Sequence, residues 1–595
     1  MALAVDQLTG GLQVMLMRAL TRATTFLSLV LVLVLPSCCF AQAPLEPPQL
    51  PAQTSFYLIW RGTPKGDIRQ TNALLSFWDD PDCAPLRSAI ADALMSDNNK
   101  QKDKPALTRD ELTQYASLLD NPFVLGYLSG PDDLPAAKTP ATGAPAWQGL
   151  FFVYDRTAKE ALLSKAVLRM RGSESDIPKI SEVTIAGVPA LKIERKSGVN
   201  YWAETGKFAV GAQEKTVFEL ILNRLNGTSS GPSVVESAAY REAKPLLGGG
   251  ILEFFFRVPD LKKLVSADSS STASAKQAAT VVQALKLESM HSIAGQVTLE
   301  GAKARLQGAV LGEPTQGSLF DIWSDGQTAP ASMSLLSSGT VFYHESQVNF
   351  LGIYSLLKNA FLQSGASSAQ FVTPLEAAAQ TRLGMPIPDA LGLTTGEIAS
   401  LENSPTLDGT QQVRVLGIRN KPDALKLLRT LIGDQVASER NEGSITYVKI
   451  SLHGGQSSAG AAQWNFYHLA MTPNLLLGSS QSEPLHALLA PSVGNADPPP
   501  PQNFLAARSQ FPQKVNGFSY FDVQKVDWPG MKARWLVEAK KAAANAKTAD
   551  AAASQKKLSD ALDTMNPQVF PRHLHTMIGA SWKDEKGVHF DEWVD

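Results

Sequence analysis

Apolar and polar positions repeat one strand-then-helix pattern at two distant places in the chain. Phe151 to Asp155 is an apolar run that ends at a polar residue, and Val413 to Asn420 is a second such run. Each run is followed by apolar residues at helical spacing, which are Leu162, Leu163, Val167 and Met170 in the first place and Leu427, Leu428 and Ile432 in the second. A spacing of about 3.6 residues indicates an amphipathic helix. The two closing polar residues lie 265 positions apart.

Two further elements repeat at nearly the same distance. The apolar run Phe208 to Gly211 leads into a predicted helix, and so does Leu475 to Gly478, 267 positions later. Gly250 and Gly517 each precede an aromatic-rich strand and are again 267 positions apart. Because three separate elements share a near-constant offset, the pattern predicts two tandem copies of one unit.

Within each copy, some segments alternate apolar and polar residues as strands do, and others have the helical spacing of apolar residues. Hairpin signals close each copy, such as the turn Asp584 to Gly587 that places His589 opposite Trp582. We therefore expect an α+β fold made of two tandem copies of one unit, each a mixed or antiparallel sheet with helices on one face. The predicted boundaries are residues 55–325 for the first copy and 326–595 for the second.

Proline-rich stretches are predicted to be extended spacers. The first runs from Pro131 to Pro145, and the second is a Pro-rich linker near residues 495–502 with four consecutive prolines. Both separate patterned segments, so both are candidate linkers.

The N-terminus predicts export. Arg18 and Arg22 precede an apolar run from Phe26 to Leu35, and small residues follow up to Ala41. This is the layout of a signal peptide, here residues 1–41, and the run is too short for a transmembrane helix of about 20 residues. The expected mature chain lies in the periplasm or outside the cell and begins with a Pro-rich tether, residues 42–54. Lipid anchoring at Cys38 is the alternative.

Composition narrows the function classes. The chain is 44% hydrophobic and 18% charged with a net charge of −2, and no basic stripe is present. Phosphate backbones require clustered positive charge, so a nucleic-acid partner is excluded. Removal of the signal peptide would leave Cys83 as the single cysteine, which closes no intrachain disulfide.

Histidine and carboxylate motifs do not form a metal site. His573 and His575 would share a face if their segment were a strand. His589, opposite Trp582, would then be too far along the hairpin to join them. The acidic run Asp79 to Asp82 lacks the glycine turn of a calcium loop and is typical of a loop or a helix entry. We predict neither a metal site nor a cofactor.

Nucleophile motifs are also weak. Ser355 and Lys358 fit an S-x-x-K spacing, but their segment already has a complete amphipathic helix pattern, so we expect a surface helix. His453 to Gly455 is similar to a lipase oxyanion loop, yet no G-x-S-x-G elbow follows it, and a flexible hairpin loop is expected. Catalytic residues therefore remain unassigned.

One weak site candidate comes from the repeat. His291 and His575 stand at matched positions at the start of the two closing hairpins. Each would cap or pack at the base of its hairpin, or alternatively form a pH-sensitive contact, because histidine titrates near neutral pH.

The strand–polar–helix openings and glycine-ended strands such as Leu475 to Gly478 give the chain a family resemblance. It resembles a loose group of large exported bacterial proteins that share a domain of unknown function. The resemblance covers most of the mature chain. It implies an envelope location and α+β folding, and it carries no activity.

These observations favour an exported, non-enzymatic binding or scaffold module. Duplicated units naturally form two lobes with a cleft, whose partner would be another envelope protein, a glycan or an apolar ligand. The alternative is an extracytoplasmic hydrolase whose site is assembled from residues distant in sequence. Neither pattern nor composition predicts the oligomeric state.

Overall fold

The fold was analysed in a computed structural model. It describes residues 43–89, 91, 108–129, 149–164, 179–195, 198–229, 231–260, 286–315, 317–363, 366–407, 409, 411–450, 468–490, 500–546 and 548–595. The predicted signal peptide with Cys38, the stretch Pro131 to Pro145, His453 to Gly455 and most of the linker near 495–502 lie outside these residues.

The described residues contain twenty strands, which we number in chain order. They are β1 (Thr54–Trp60), β2 (Phe123–Leu128), β3 (Leu150–Asp155), β4 (Lys179–Ile185), β5 (Val188–Arg195), β6 (Gly198–Thr205), β7 (Phe208–Ala212), β8 (Leu252–Arg257), β9 (Met290–Glu300), β10 (Lys303–Gly312), β11 (Phe342–Gln347), β12 (Thr394–Glu402), β13 (Gln412–Ile418), β14 (Val436–Glu442), β15 (Ile445–Ile450), β16 (His468–Met471), β17 (Leu475–Ser479), β18 (Gly517–Asp522), β19 (Thr576–Asp584) and β20 (Gly587–Val594).

Helices connect these strands. The α-helices of the described residues are α1 (Asp67–Thr71), α2 (Ala73–Asp79), α3 (Arg109–Ala116), α4 (Lys215–Leu225), α5 (Ala238–Ala243), α6 (Phe350–Gln363), α7 (Ala366–Leu383), α8 (Ile387–Gly392), α9 (Lys421–Ile432), α10 (Ser482–Leu489), α11 (Gln502–Arg508), α12 (Trp528–Ala544), α13 (Ala549–Thr564) and α14 (Val569–His573).

All twenty strands belong to one sheet, and every neighbouring pair is antiparallel. The spatial order is β4-β5-β6-β7-β3-β2-β1-β8-β9-β10-β20-β19-β18-β11-β12-β13-β17-β16-β15-β14. The predicted α+β class with an antiparallel sheet is confirmed. Read from either edge, the last ten strands pair in the same order as the first ten, and we call these two sets the first half and the second half.

The two halves meet along the β10–β20 ladder, which we call the joint. Near its middle, Gln307 stands opposite Asp591, each the fifth residue of its strand. Equal steps outward from this pair give Ala304 opposite Val594 and Val310 opposite Val588. The joint therefore relates the two halves approximately as a two-fold axis relates identical subunits.

Several predicted elements are confirmed. β7 and β17 each lead into a helix, α4 and α10, and the helix α9 follows β13. The last hairpin closes with Asp584 opposite Gly587 and places Trp582 opposite His589, as the turn chemistry predicts. Local periodicity and turn residues are sufficient for these elements because each depends on neighbours in sequence.

Each half has its own core on one side of the sheet. In the first half, Phe218 of α4 and Tyr240 of α5 pack over Tyr57 and Val153 of the sheet. In the second half, Leu485 of α10 and Phe504 of α11 pack over strand residues of the corresponding set. These cores are built by the apolar stripes of short amphipathic helices.

The expectation that helices cover one face only is wrong near the centre of the sheet. Ile59 lies in the first-half core, while the next residue of β1, Trp60, packs on the opposite face with Leu75 of α2 and Val297 of β9. Successive strand side chains point to opposite faces. Because β1 is apolar on both faces, it requires cover on both sides.

The predicted tether at residues 42–54 is also wrong for its described part, which begins at residue 43. Leu45 and Leu50 are fully buried in the first-half core, and Pro51 forms a bridge with Ser233. The prolines are frequent in this segment, but the leucines between them supply enough apolar surface to hold it against the sheet. The segment belongs to the folded body.

Candidate functional site

Two buried polar clusters occupy corresponding positions in the two halves. Each contains a fully buried tyrosine, Tyr57 of β1 and Tyr343 of β11. Tyr57 pairs across the ladder with Phe255 of β8, and Tyr343 pairs with Tyr520 of β18. Because β1 with β8 and β11 with β18 are matching ladders, these tyrosines are structural counterparts.

The first-half cluster joins a tyrosine, two glutamates and an arginine. The Tyr57 hydroxyl donates to Glu253 Oε1 at 2.8 Å. Arg61 forms ion pairs with Glu46 and, at 3.5 Å, with Glu253, and its Nε donates to the Gly250 carbonyl at 3.1 Å. Glu253 is 2% exposed, so its charge depends on these partners.

Burial keeps Tyr57 of this cluster and the neighbouring Tyr240 protonated. Burial, reinforced by the charge of Glu253, raises the pKa of Tyr57 well above its usual value. The same two causes raise the pKa of Tyr240 to about 12. At neutral pH the two phenols therefore keep their protons and do not act as bases, and the Tyr57 hydroxyl donates to Glu253.

This cluster forms the floor of an open cleft of about 580 Å³, which we call the first-half cleft. Its mouth includes the exposed Lys244 and the glycines Gly248 and Gly249, which have open space where a Cβ would stand. Its floor includes Arg61 and Glu253. The cleft thus offers a ligand an ammonium group, uncovered backbone and a polar floor.

The second-half cluster is enclosed. The Ser332 and Tyr343 hydroxyls are 2.8 Å apart, and Tyr343 donates to Glu345 Oε2 at 3.0 Å. Glu397 of β12 accepts from the backbone N–H groups of Ser332 at 2.7 Å and Ala331 at 3.0 Å. Glu345 and Glu397 are 1% and 2% exposed.

The surroundings of the second-half cluster shift the pKa of Glu345. Burial is the main cause that raises the pKa of Glu345 to about 7, and the charge of Glu397 adds to it. The hydrogen bond from Tyr343 and the charge of Arg508 act in the opposite direction. Burial lowers the pKa of Arg508, whose Nη groups donate to the carbonyls of Pro512 and Gln513.

Aromatic rings fill the second half where the first half has its cleft. The Phe504 ring lies 5.2 Å from Phe518 and 5.5 Å from Tyr520, and Phe511 lies 5.9 Å from Phe518. The counterpart of Phe504 in the first half is Tyr240, which packs on Phe255. Corresponding positions are therefore open and charged in one half and packed with phenylalanine in the other.

A second cleft, of about 550 Å³, lies where the segment between β10 and β11 meets α6. Its lining includes Lys286, Asp321, Asn349 and Ser355. Asn349 accepts from the backbone N–H of Gly352 and so caps the start of α6. Ser355 is exposed and Lys358 pairs with Glu376 at 2.8 Å, so the S-x-x-K segment is a surface helix as predicted.

The structure places the two candidate histidines outside both polar clusters. His291 lies in β9 and its Nδ1 is 2.9 Å from Glu242 Oε2. His575 is exposed and directly precedes β19, with its backbone N–H donating to Asp595. His573 ends α14 and β19 begins at Thr576, so the segment is not a strand and the condition under which His573 and His575 would share a strand face is not met.

The acidic run Asp79 to Asp82 connects distant parts of the chain. Asp80 accepts from its neighbour Asp82 N–H, as a helix-entry residue does, and also from Arg572 Nη1 at 2.7 Å. His573 Nε2 lies 2.7 Å from the same carboxylate oxygen of Asp80. The predicted helix-entry role is confirmed, and the ion pairs that tie it to α14 were not predicted.

Sequence reasoning missed the buried glutamates. Glu253 interrupts the apolar strand Leu252 to Phe256, and a single carboxylate in such a strand is the signal that could have found it. Glu345 and Glu397 lie in less apolar strands and carry no comparable signal. Their proximity depends on the pairing of β11 with β12.

The described residues lack a membrane-spanning helix and a metal-binding group of histidine, cysteine and acidic side chains. No helix there combines the length and apolar character needed to cross a bilayer. In the same part of the chain, no group of three or more histidine, cysteine or acidic side chains is arranged to hold a metal ion.

Comparison of the chain with protein-family models, with curated proteins and with solved structures finds no match. The geometry of the two clusters and the first-half cleft is therefore the basis for a proposed function.

Proposed function

We propose that this protein is an exported envelope protein that acts as a non-enzymatic binding module, with the first-half cleft as its ligand site. The observation that carries this proposal is the contrast between the halves. The first-half cleft is open, whereas Phe504, Phe511 and Phe518 fill the corresponding region of the second half. A concave site with a few convergent polar groups is the usual form of a ligand pocket.

The chemistry of the mouth favours a ligand with an acidic group. Lys244 supplies an exposed ammonium group, and Gly248 and Gly249 allow a ligand close to the backbone. On the floor, the two glutamates already engage Arg61. An acidic glycan or an acidic segment of another envelope protein fits these groups.

We also infer that the two halves arose by tandem duplication of one unit, as the resemblance to exported proteins with a domain of unknown function implies. The shared pairing order of the halves and the two-fold character of the joint support this origin. An experimental structure in which the halves differ in strand order would contradict it.

Ligand binding can be tested by thermal unfolding in the presence of polygalacturonate, with neutral dextran as the uncharged comparison. We expect polygalacturonate to raise the unfolding temperature of the wild type and to have less effect on Lys244→Glu. Lys540→Glu, at an exposed position of α12, makes the same charge change away from the cleft and should respond as the wild type does. Equal responses from all three proteins would refute the cleft as the site.

Export and partners can be tested in intact cells of the source organism. Crosslinking of the tagged protein, followed by mass spectrometry of its mature N-terminus, should give a chain that begins near Gln42 and a reproducible envelope partner. A retained apolar run would contradict the predicted signal cleavage. Hydrolysis of glycan or ester substrates by the purified protein would favour the alternative of an extracytoplasmic hydrolase.

A further inference from the structure

The side-chain amide of Gln347 is buried and makes no hydrogen bond among the described residues. Its side chain is 1% exposed, and both Oε1 and Nε2 lack a partner. It follows Glu345 by two residues in β11, so both side chains lie on the same face of the sheet. Glu397 stands directly opposite Gln347 on β12. The unpartnered amide therefore lies on the face that carries two buried carboxylates.

The first half places a positive charge at the corresponding position. The backbone N–H of Arg61 donates to Ile251 and that of Gln347 donates to Asn516, each one residue beyond the last shared pair of its ladder. Arg61 and Gln347 are therefore counterparts. The guanidinium of Arg61 engages Glu46 and Glu253, whereas the neutral amide of Gln347 compensates no charge.

The charges of the second-half cluster do not balance. Glu345 and Glu397 bring two carboxylates, and Arg508 is the cation whose charge acts on Glu345. The Nη groups of Arg508 are directed to the carbonyls of Pro512 and Gln513. When both carboxylates are ionised, one negative charge is left over in a region from which water is excluded, and such a charge is costly unless a proton or a cation compensates it.

We propose that Glu345, Glu397 and the amide oxygen of Gln347 bind one hard metal cation, of the sodium or calcium type. Hard cations prefer carboxylate, amide and hydroxyl oxygens, and the Tyr343 and Ser332 hydroxyls lie beside the carboxylates. The cation takes the place that the Arg61 guanidinium has in the first half. The sequence predicts no metal site because the ligands lie on two strands and follow no metal-binding spacing.

The test compares thermal unfolding of the full chain in N-methylglucamine chloride with unfolding in sodium, potassium, magnesium or calcium chloride at equal ionic strength. A cation that binds the folded state alone raises its unfolding temperature. We expect at least one metal to raise the wild-type value and the rise to disappear in Glu345→Gln. Glu204→Gln is the matched control. It removes a first-half carboxylate whose side chain is 35% exposed, and it should keep the rise in unfolding temperature.

Gln347→Met provides a second variant, which keeps the test valid even if the protein does not fold with a substitution at Glu345. Methionine has a similar length and no amide, so in N-methylglucamine this variant should unfold at a higher temperature than the wild type, because an unpartnered buried amide is removed. In the metal salt that stabilises the wild type, the variant should gain nothing. Elemental analysis should find about one metal ion per wild-type chain and none in this variant.

Three results would overturn the proposal. The first is an identical unfolding temperature of the wild type in all five salts. The second is an equal rise in the wild type and in both second-half variants. The third is a wild-type unfolding temperature that changes with pH but not with the metal salt, which would mean that a proton neutralises the cluster. The site lies in the second half and does not depend on ligand binding in the first-half cleft.

Discussion

The joint between the halves contains an ion pair whose removal should loosen it. Arg305 of β10 donates through Nε to Asp591 Oδ1 at 2.9 Å and through Nη2 to Asp591 Oδ2 at 2.6 Å. The side chain of Asp591 is 9% exposed and that of Arg305 is 35% exposed. We expect Arg305→Met to keep the aliphatic packing of the side chain while leaving the carboxylate of Asp591 without its main partner.

The magnitude follows from this geometry. Breaking a fully buried ion pair costs about 3–5 kcal/mol, and a hydrogen bond to a charged group contributes about 1.5–3 kcal/mol. Since water reaches the arginine, we expect Arg305→Met to lower the free energy of opening the joint by about 2 kcal/mol. A loss of this size accelerates exchange from the opened state about 30-fold.

Hydrogen exchange measured by mass spectrometry checks this prediction, because it reports local opening segment by segment. Faster exchange should be concentrated in β10 and β20. Arg429→Met is the matched control, since Arg429 makes a similar two-bonded pair with Glu439 in the second half but is 55% exposed, and its loss should change exchange much less because water screens the pair. Equal protection of the joint in the wild type and Arg305→Met would refute the reasoning.

Three further changes have defined outcomes. Phe504→Ala removes a fully buried ring at the centre of an aromatic cluster and should lower stability by about 3–5 kcal/mol in chemical denaturation, and a loss below 1 kcal/mol would contradict the packing. Gly308→Val places a Cβ 2.6 Å from the Phe590 ring across the joint and should lower the free energy of unfolding by about 1–3 kcal/mol in chemical denaturation. An unchanged stability would contradict this and show that the joint shifts to accept the side chain. Burial alone would raise the pKa of Asp80, but hydrogen bonds, including those from His573 and Arg572, lower it. Its contribution to stability is therefore present above its unfolded pKa of about 3.9 and lost as pH falls through the lower folded value, so Asp80→Asn should flatten stability between pH 5 and pH 2, and an unchanged slope would contradict this.

The local elements of this protein could be predicted from its sequence. The apolar run that forms β7, the helix α4 after it and the hairpin that places Trp582 opposite His589 all depend on residues close together in the chain. Side-chain periodicity and turn residues act over these short distances, so the pattern alone is informative. The repeated offset between matching elements is likewise a property of the sequence.

Only the tertiary structure decided how these elements are joined. Antiparallel pairing can connect any two strands of suitable pattern, so the sequence of β10 does not predict that it pairs with β20. The packing of other elements on both faces of β1 likewise depends on contacts between residues that are far apart in the sequence.

The tertiary structure also determines which side chains form the two polar clusters. Tyr57 meets Glu253 from a different strand, whereas Tyr343 meets Glu345 two residues along its own strand. The same tyrosine–glutamate contact is therefore built from different sequence positions in the two halves. A sequence pattern records which residues share a strand face, but the register between strands determines which side chains touch, because a shift of one residue turns every side chain to the other face.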